Sequence, residues 1–216
     1  MPTSVSACST FAGASLPALL QRFLGGVRST EEAVQHLRQA ARLGHFTAEL
    51  AKAFLLRLYV EVQWYEEAQA LGKELLAAFP ENGVLALLVG RSQCAAARYA
   101  ACAQTLGALV ERLEAAGTRL ARREHRFALY YFWGRALYET QQLALAFDAL
   151  RRAINEDPFL QYDETLWATY YLARLYEQRG ETKTALQMYR TLLRRRNVED
   201  LHEQVEQCLR RLRHAG

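Results

Sequence analysis

One spacing recurs along the chain and restricts the folds that it can adopt. Ala68 and Ala146 are each followed by a proline twelve residues later, at Pro80 and Pro158. The segments 49–80, 127–158 and 166–197 align without gaps, with Ala185 in the alanine position of the last, and 83–114 aligns as a weaker copy. Self-similarity at a fixed period of this length is typical of stacked repeats rather than of one unrepeated core.

Each copy predicts two helices joined by a short polar turn. In the last copy, two sets of apolar residues follow the three-and-four spacing of a helix, at Leu166, Tyr170, Leu172, Ala173 and Tyr176, and then at Ala185, Met188, Tyr189, Leu192 and Leu193. Between them, Gly180 can adopt a positive φ and end the first helix. Helix formers dominate the composition, and no segment alternates like a strand.

Small residues and prolines occupy positions that suit paired helices. Gly134 and Ala146 allow two helices to approach closely, while large side chains from neighbouring helices fill the space around them. A single helix pair cannot bury its apolar face alone, so adjacent pairs must stack. Pro158 ends the second helix of its pair, because it disfavours helical geometry at the preceding residue.

The pattern resembles the tetratricopeptide repeat (TPR) family, whose motif is W-x2-L-G-x2-Y, then A-x3-F, then P, over about 34 residues. In the best copy, Trp133 stands in the leucine slot and Tyr130 in the tryptophan slot, and Gly134, Ala146, Ala153 and Pro158 match the motif. The other copies match at fewer slots: Tyr59, Ala68 and Pro80 in the first, Gly90, Tyr99 and the small Cys102 in the second, and Tyr176, Gly180, Ala185 and Tyr189 in the last. The first copy departs from the motif with Lys52 in the tryptophan slot and Gly72 in the phenylalanine slot. The resemblance covers about residues 49–197 and implies an all-α fold, a right-handed α-solenoid of antiparallel helix hairpins.

The repeats divide the chain into seven predicted segments. These are a flexible N-terminal tail (1–15), a degenerate helix pair (16–46), four repeats (49–82, 83–126 with an extended helix and linker, 127–165 and 166–199) and a C-terminal capping helix (200–216). The last segment is apolar on one face, at Leu201, Val205, Cys208, Leu209 and Leu212, and charged on the other. That profile predicts a helix that seals the final repeat from water.

In the resembled family, a stripe of slots on the first helix of each repeat lines a concave groove. One slot of this stripe is arginine in all four copies, at Arg57, Arg91, Arg135 and Arg174, and neighbouring slots carry Tyr131, Tyr170 and Trp167. Arginine binds carboxylates through paired hydrogen bonds, and aromatic rings offer flat contact area. We therefore expect the groove to bind an acidic or carboxylate-ended peptide or helix of a partner protein. The alternative is that these arginines pair with acidic residues of adjacent helices and solvate the surface.

No constellation of residues suits catalysis or a cofactor. The five histidines lack metal-ligand spacing, and Gly25-Gly26 is not followed by the residues of a phosphate loop. We expect a non-catalytic interaction scaffold or adaptor without metal or cofactor. Two alternatives stay open: a structural subunit of a larger complex that uses Trp64 and Tyr65 as contacts, or an RNA or anionic-surface adaptor that uses the basic C-terminus (Arg194–Arg196, Arg210, Arg211 and Arg213).

Cysteine placement and hydropathy predict a cytoplasmic protein. The cysteines at 8, 94, 102 and 208 form no CxxC pair. We therefore expect them to be unpaired and to act as small apolar residues in a protein of a reducing compartment. Cys8 ends a faint lipoprotein-like box that no apolar run precedes, and no segment approaches the ~20 apolar residues of a membrane span. The net charge of +4, spread over many helices, does not indicate a nucleic-acid partner. The sequence leaves the oligomeric state open.

Overall fold

The computed structural model describes residues 30–44, 48–115 and 123–214 of the chain. Within these ranges there is no strand, and ten α-helices follow one another: α1 (Thr30–Leu43), α2 (Ala48–Glu61), α3 (Tyr65–Ala78), α4 (Gly83–Ala95), α5 (Tyr99–Ala115), α6 (Arg123–Glu139), α7 (Leu143–Glu156), α8 (Asp163–Gln178), α9 (Thr182–Leu193) and α10 (Leu201–His214). The all-α prediction is confirmed. The chain divides into two compact units, Met1–Leu58 and Tyr59–Gly216.

The first unit contains α1 and most of α2. Helix α1 buries one stripe at Ala33, Val34 and Leu37, whereas α2 buries Leu55 and Leu56. The acidic residues Glu31 and Glu32 occupy the first turn of α1, and Arg42 lies in its last turn, the arrangement that favours the helix dipole. The predicted tail 1–15, the first half of the predicted pair 16–46 and Cys8 lie outside the described residues.

The second unit is a succession of helix hairpins. Helix α3 packs on α4, the pairs α4–α5, α6–α7 and α8–α9 each form a hairpin, and α10 packs on α9 and α8. The first helices of successive hairpins also contact one another, α4 with α6 and α6 with α8. Leu201 and Val205 are fully buried, and they join the core around Leu166 and Tyr189. Contacts between neighbouring hairpins therefore build the apolar core of this unit, as expected of an α-solenoid.

Four turns, the one after α2 and the one inside each of the three hairpins, repeat one backbone geometry. A residue with positive φ follows the first helix each time, at Gln63 (63°), Ala97 (56°), Gln141 (62°) and Gly180 (79°). Each turn is closed by the same hydrogen bond from the next residue's N–H to a carbonyl five residues earlier, from Gln142 to Leu137 at 2.8 Å and from Glu181 to Tyr176 at 2.9 Å, for example. This is the Schellman ending of a helix. The prediction for Gly180 is confirmed, although three turns adopt the same geometry without glycine.

Small residues set the distance between the helices of a hairpin. A Cβ atom added to Gly134 would lie 2.8 Å from Leu150 Cγ, and one added to Gly90 would overlap Leu106. Ala146 and Ala185 are fully buried, as is Cys102 in the equivalent position of the second repeat. The predicted close approach at Gly134 and Ala146 is confirmed. Helix α7 ends at Glu156, two residues before Pro158, also as predicted.

Two hairpin helices begin earlier than the predicted repeat boundaries at 127 and 166. Helix α6 starts at Arg123, and α8 starts at Asp163. The acidic pair Asp163 and Glu164 occupies the first turn of α8, where negative charge stabilises a helix. The apolar periodicity begins only after these polar turns, which is why the predicted repeat boundaries follow the helix starts. The predicted linker falls partly on residues 116–122, outside the described residues.

The cysteines differ from the sequence-based expectation. Cys94, near the end of α4, and Cys102, in α5, are joined by a disulfide with their Cα atoms 5.5 Å apart. The expectation of unpaired apolar cysteines is wrong for this pair, whereas among the described cysteines it fits Cys208, which is free and buried. The hairpin turn explains the pairing, because it folds α5 back onto α4 and brings residues eight apart in sequence face to face.

Candidate partner-binding cavity

A cavity of about 480 Å³ lies in the second unit. Six helical segments wall it: the end of α2, the start of α3, the second half of α4, the middle of α6, the first half of α8 and the start of α10 with the residues before it. Aromatic side chains line it at Tyr65, Tyr131, Phe132, Trp167 and Tyr171, and charged side chains line it at Glu61, Arg91, Arg135, Asp163, Glu164, Glu199 and Asp200. Of the seven predicted groove residues, Arg91, Arg135, Tyr131 and Trp167 meet at this cavity.

Arg135 lies between two tyrosine rings in the cavity wall. Its guanidinium carbon is 5.8 Å from the centre of the Tyr99 ring and 5.9 Å from that of Tyr171, so both rings make cation–π contacts. It donates a long hydrogen bond from Nη2 to the Tyr99 hydroxyl at 3.5 Å, and its guanidinium also interacts with the Tyr131 hydroxyl through charge and hydrogen bonding. Its Nε atom is buried without a partner. Among the described residues, no carboxylate pairs with Arg135.

Arg126, about two and a half turns before it on α6, provides a comparison. Its guanidinium lies 3.1 Å from the Glu156 carboxylate, and both side chains are mostly buried. A half-buried arginine in this protein can therefore have a carboxylate partner. Arg135 has rings in that place, which leaves part of its hydrogen-bonding capacity unused.

Tyr131 lines the cavity and is only 4% exposed. Burial raises the pKa of its hydroxyl to about 12, the neighbouring Arg135 charge opposes that rise, and the Glu164 and Glu199 carboxylates add to it. Burial also raises the pKa of Tyr171. Both hydroxyls are therefore neutral at physiological pH, when a tyrosine O–H can donate a hydrogen bond.

Arg91 has a different environment from Arg135. Its Nη2 atom lies 3.9 Å from the Glu61 carboxylate, and 40% of its side chain is exposed. The guanidinium carbon lies 5.8 Å from the Phe132 ring centre. An exposed pair of this length contributes little to stability, so Arg91 is held loosely at the edge of the cavity.

Three predicted groove residues lie elsewhere. Tyr170 is 4% exposed in the core beside Tyr189, and its hydroxyl accepts a 3.1 Å hydrogen bond from Arg174 Nη1. Neither Tyr170 nor Arg174 lines the cavity, and Arg57 is exposed in the first unit. The next residue, Tyr171, lines the cavity instead.

Helical spacing alone does not decide between Tyr170 and Tyr171, because they lie three and four residues after Trp167 and both share its helix face. The neighbouring helices decide it, since Tyr170 packs in the core with Tyr189 and Cys208. The family slot pattern pointed to Tyr170, whereas the position of Tyr171 in the lining depends on these tertiary contacts.

The acidic side of the cavity was not predicted. Asp163 and Glu164 come from the first turn of α8, while Glu199 and Asp200 precede α10. The buried Asp157 carboxylate fixes the segment before α8 by accepting hydrogen bonds from the Gln161 N–H (2.7 Å), the Tyr162 N–H (3.2 Å) and the Thr165 hydroxyl (2.6 Å). The acidic first turn of α8 was visible in the sequence, but the proximity of residues 199 and 200 depends on the fold.

Residues behind the alternative functions are partly engaged within the chain. Arg196 contacts the Asp163 carboxylate, Arg210 lies 3.7 Å from Glu206, and Arg211 lies 2.8 Å from Glu177. Trp64 stacks on Tyr59 with ring centres 5.8 Å apart, and Tyr65 lines the cavity. In the described ranges, no group of His, Cys, Asp or Glu side chains is arranged to hold a metal ion, and no helix is long and apolar enough to cross a membrane.

Comparisons with known proteins agree with the helical-repeat architecture. The chain is similar to MamA (41-end) from Desulfovibrio magneticus RS-1, at 20% identity and a TM-score of 0.64, over 82% of this chain and 90% of that one. It is also similar to a Podosopora anserina kinesin light chain with nearly identical TPR-like repeats, at 19% identity and a TM-score of 0.58, over 76% of this chain and 82% of that one. No family model and no curated protein matches the sequence. Together with the hairpin geometry, these likenesses identify the chain as a helical-repeat protein with the TPR-like α-solenoid fold.

Proposed function

We propose that this protein is a non-catalytic interaction scaffold whose cavity binds a segment of a partner protein through a carboxylate group held by Arg135. The observation that carries the proposal is the environment of Arg135, which is half-buried between Tyr99 and Tyr171 with no carboxylate partner among the described residues. A partly desolvated guanidinium without a counter-charge is unfavourable, and a carboxylate from outside the chain would satisfy it.

The surrounding groups suit a carboxylate. A guanidinium presents several N–H donors in one plane, and a carboxylate accepts two of them at once. The neutral hydroxyls of Tyr131 and Tyr171 can donate to the same group. The Trp167 ring lies nearby on the face of α8 that includes Tyr171 and supplies flat contact area to the rest of the segment.

The cavity's size favours a short segment over a whole helix. Its volume of about 480 Å³ falls within the range of roughly 300–1,000 Å³ that is usual for cavities enclosing a small ligand. A few side chains of a partner fit this space. Arg91 at the edge remains available to a second contact, since its pairing with Glu61 is long and exposed.

Capture of a random peptide pool tests the proposal. Hexapeptides with free C-termini are passed over the immobilised protein, retained peptides are sequenced by mass spectrometry, and their dissociation constants are measured by fluorescence anisotropy. A hydrogen bond to a charged group contributes about 1.5–3 kcal/mol, so Arg135→Met is expected to weaken binding roughly 10- to 150-fold.

The matched control is Arg213→Met, which removes an arginine that is exposed on α10 and does not line the cavity. This variant should bind like the wild type, and circular dichroism should show that both variants keep their helical content. Retained peptides that bind Arg135→Met as tightly as the wild type, or a pool from which nothing is retained, would contradict the proposal.

A further inference from the structure

The charge of the cavity lining is opposite to that of the whole chain. The chain carries a net charge of +4. The lining combines two arginines with five carboxylates, a net formal charge of −3. A ligand with several negative charges would therefore meet repulsion at most of the wall, even though Arg135 favours one carboxylate.

The carboxylates of the lining differ in how strongly they are engaged. Asp163 is held by Arg196, Glu61 faces Arg91 at 3.9 Å, and Asp200 accepts a 2.8 Å hydrogen bond from the Gln204 side chain. Glu164 and Glu199 have no side-chain partner among the described residues. These two carboxylates therefore remain free to meet a cation from a ligand.

Glu164 and Glu199 line the same cavity as Arg135. The Tyr131 hydroxyl relates the three groups, because both carboxylates and the Arg135 guanidinium act on it electrostatically. A ligand that fills the cavity thus meets a positive group and two negative groups within one cavity. Satisfying both requires a ligand that carries charges of both signs.

We propose that the cavity selects a basic segment of a partner protein that carries a single carboxylate, with the carboxylate on Arg135 and a lysine or arginine side chain against Glu164 and Glu199. This inference rests on the proposed function and names the partner's chemistry. The carboxylate comes either from the partner's chain terminus or from an aspartate or glutamate side chain, since both present the same two oxygens to a guanidinium. An acidic tail is excluded as the preferred ligand, because its additional carboxylates would face Glu164 and Glu199.

The composition of retained peptides tests the charge preference. Two random hexapeptide pools, one with free and one with amidated C-termini, are passed over the wild type and over the double variant Glu164→Gln, Glu199→Gln. For the wild type we expect enrichment of lysine and arginine and depletion of extra aspartate and glutamate. In the double variant, the lysine and arginine enrichment should fall roughly two- to ten-fold, while dependence on Arg135 persists.

A charge-matched control separates this local effect from the overall charge of the protein. The double variant Asp148→Asn, Glu203→Gln also removes two exposed carboxylates, and neither of them lines the cavity. It should retain the wild-type preference. Retention from the free-terminus pool alone would assign the carboxylate to the chain end, whereas equal retention from the amidated pool would assign it to a side chain.

Two results would contradict the inference. One is a wild-type preference for peptides rich in aspartate and glutamate. The other is a lysine and arginine preference that the Glu164→Gln, Glu199→Gln variant keeps unchanged. If Arg135-dependent binding persists in either case, the proposed function stands and only the basic partner is wrong. If no binding depends on Arg135, the proposed function itself fails.

Discussion

Replacing Gly134 by alanine should destabilise the protein, although alanine is normally the better helix former. An added Cβ atom would lie 2.8 Å from Leu150 Cγ, 2.9 Å from Leu150 Cδ2 and 3.2 Å from the Leu150 backbone nitrogen. Real Cβ atoms essentially never approach a heavy atom closer than 3.0 Å, so helices α6 and α7 or the Leu150 side chain must shift.

The expected magnitude follows from two opposing effects. Overpacking a well-filled core costs about 1–3 kcal/mol. Replacing glycine by alanine inside a helix contributes about 0.5–1 kcal/mol in the other direction. We therefore expect a net loss of roughly 1–2 kcal/mol in the free energy of unfolding, which for a chain of this size lowers Tm by about 2–8 °C.

Gly107→Ala is the matched control. This glycine also lies inside a helix, α5, but its added Cβ would approach only the Trp133 side chain, at 3.3 Å from Nε1. The helix-propensity gain is the same, and the packing cost is smaller. We expect a free energy of unfolding between the wild-type value and about 1 kcal/mol above it.

Urea unfolding followed by circular dichroism measures both variants, and a double-mutant cycle with Leu150→Ala identifies the cause. Removing the Leu150 side chain alone should cost about 2–5 kcal/mol. In that background, Gly134→Ala should become nearly neutral or stabilising, giving a coupling energy of about 1–3 kcal/mol. A Gly134→Ala variant as stable as the wild type would refute the packing argument.

Four further substitutions have defined expected results. Arg126→Met should lower the free energy of unfolding by about 1–2 kcal/mol in urea titration, because it removes a mostly buried ion pair with the Glu156 carboxylate; an unchanged value would show that the pair is not stabilising. Gln141→Gly should raise the free energy of unfolding by about 1 kcal/mol and Gly180→Ala should lower it by about as much, because both positions have positive φ, which glycine adopts without strain. Shifts of Tm with the same sign in the two variants would contradict this. The pKa of Tyr131 is raised to about 12 in the folded state. The stability linked to its protonated hydroxyl is therefore fully present below pH 10 and is lost between pH 10 and 12. Between pH 10 and 12, the free energy of unfolding of the wild type should fall by up to about 3 kcal/mol more than that of Tyr131→Phe, which has no hydroxyl to ionise. Parallel curves for the two proteins would contradict the assignment.

The helical repeat was predictable from the sequence because its determinants are local and recur. The alanines at 68, 146 and 185 and the prolines at 80 and 158 mark positions where helices must approach or end, and these constraints act within one hairpin. The non-glycine turns were not predictable in this way. Gln63, Ala97 and Gln141 adopt positive φ because the closing hydrogen bond and hairpin packing outweigh a local preference against it.

The cavity was predictable only in part, because its walls come from distant segments. The arginine slot gave Arg91 and Arg135, which recur at the same place in each repeat. Residues 199 and 200 lie outside the repeated pattern and reach the cavity through the packing of α10 on α8 and α9. The net charge of the cavity therefore depends on tertiary contacts. The arginine pattern, taken by itself, shows only the positive groups and so predicted an acidic partner.

The most direct test of the account measures the coupling between the Arg135 guanidinium and one ligand carboxylate. A retained peptide and its analogue with that carboxylate converted to an amide are each titrated calorimetrically into the wild type and into Arg135→Met. The account predicts that the two changes are strongly non-additive, with a coupling energy of about 1.5–3 kcal/mol. Additive losses, with a coupling energy near zero, would show that the carboxylate is not bound by Arg135 and would contradict the central claim.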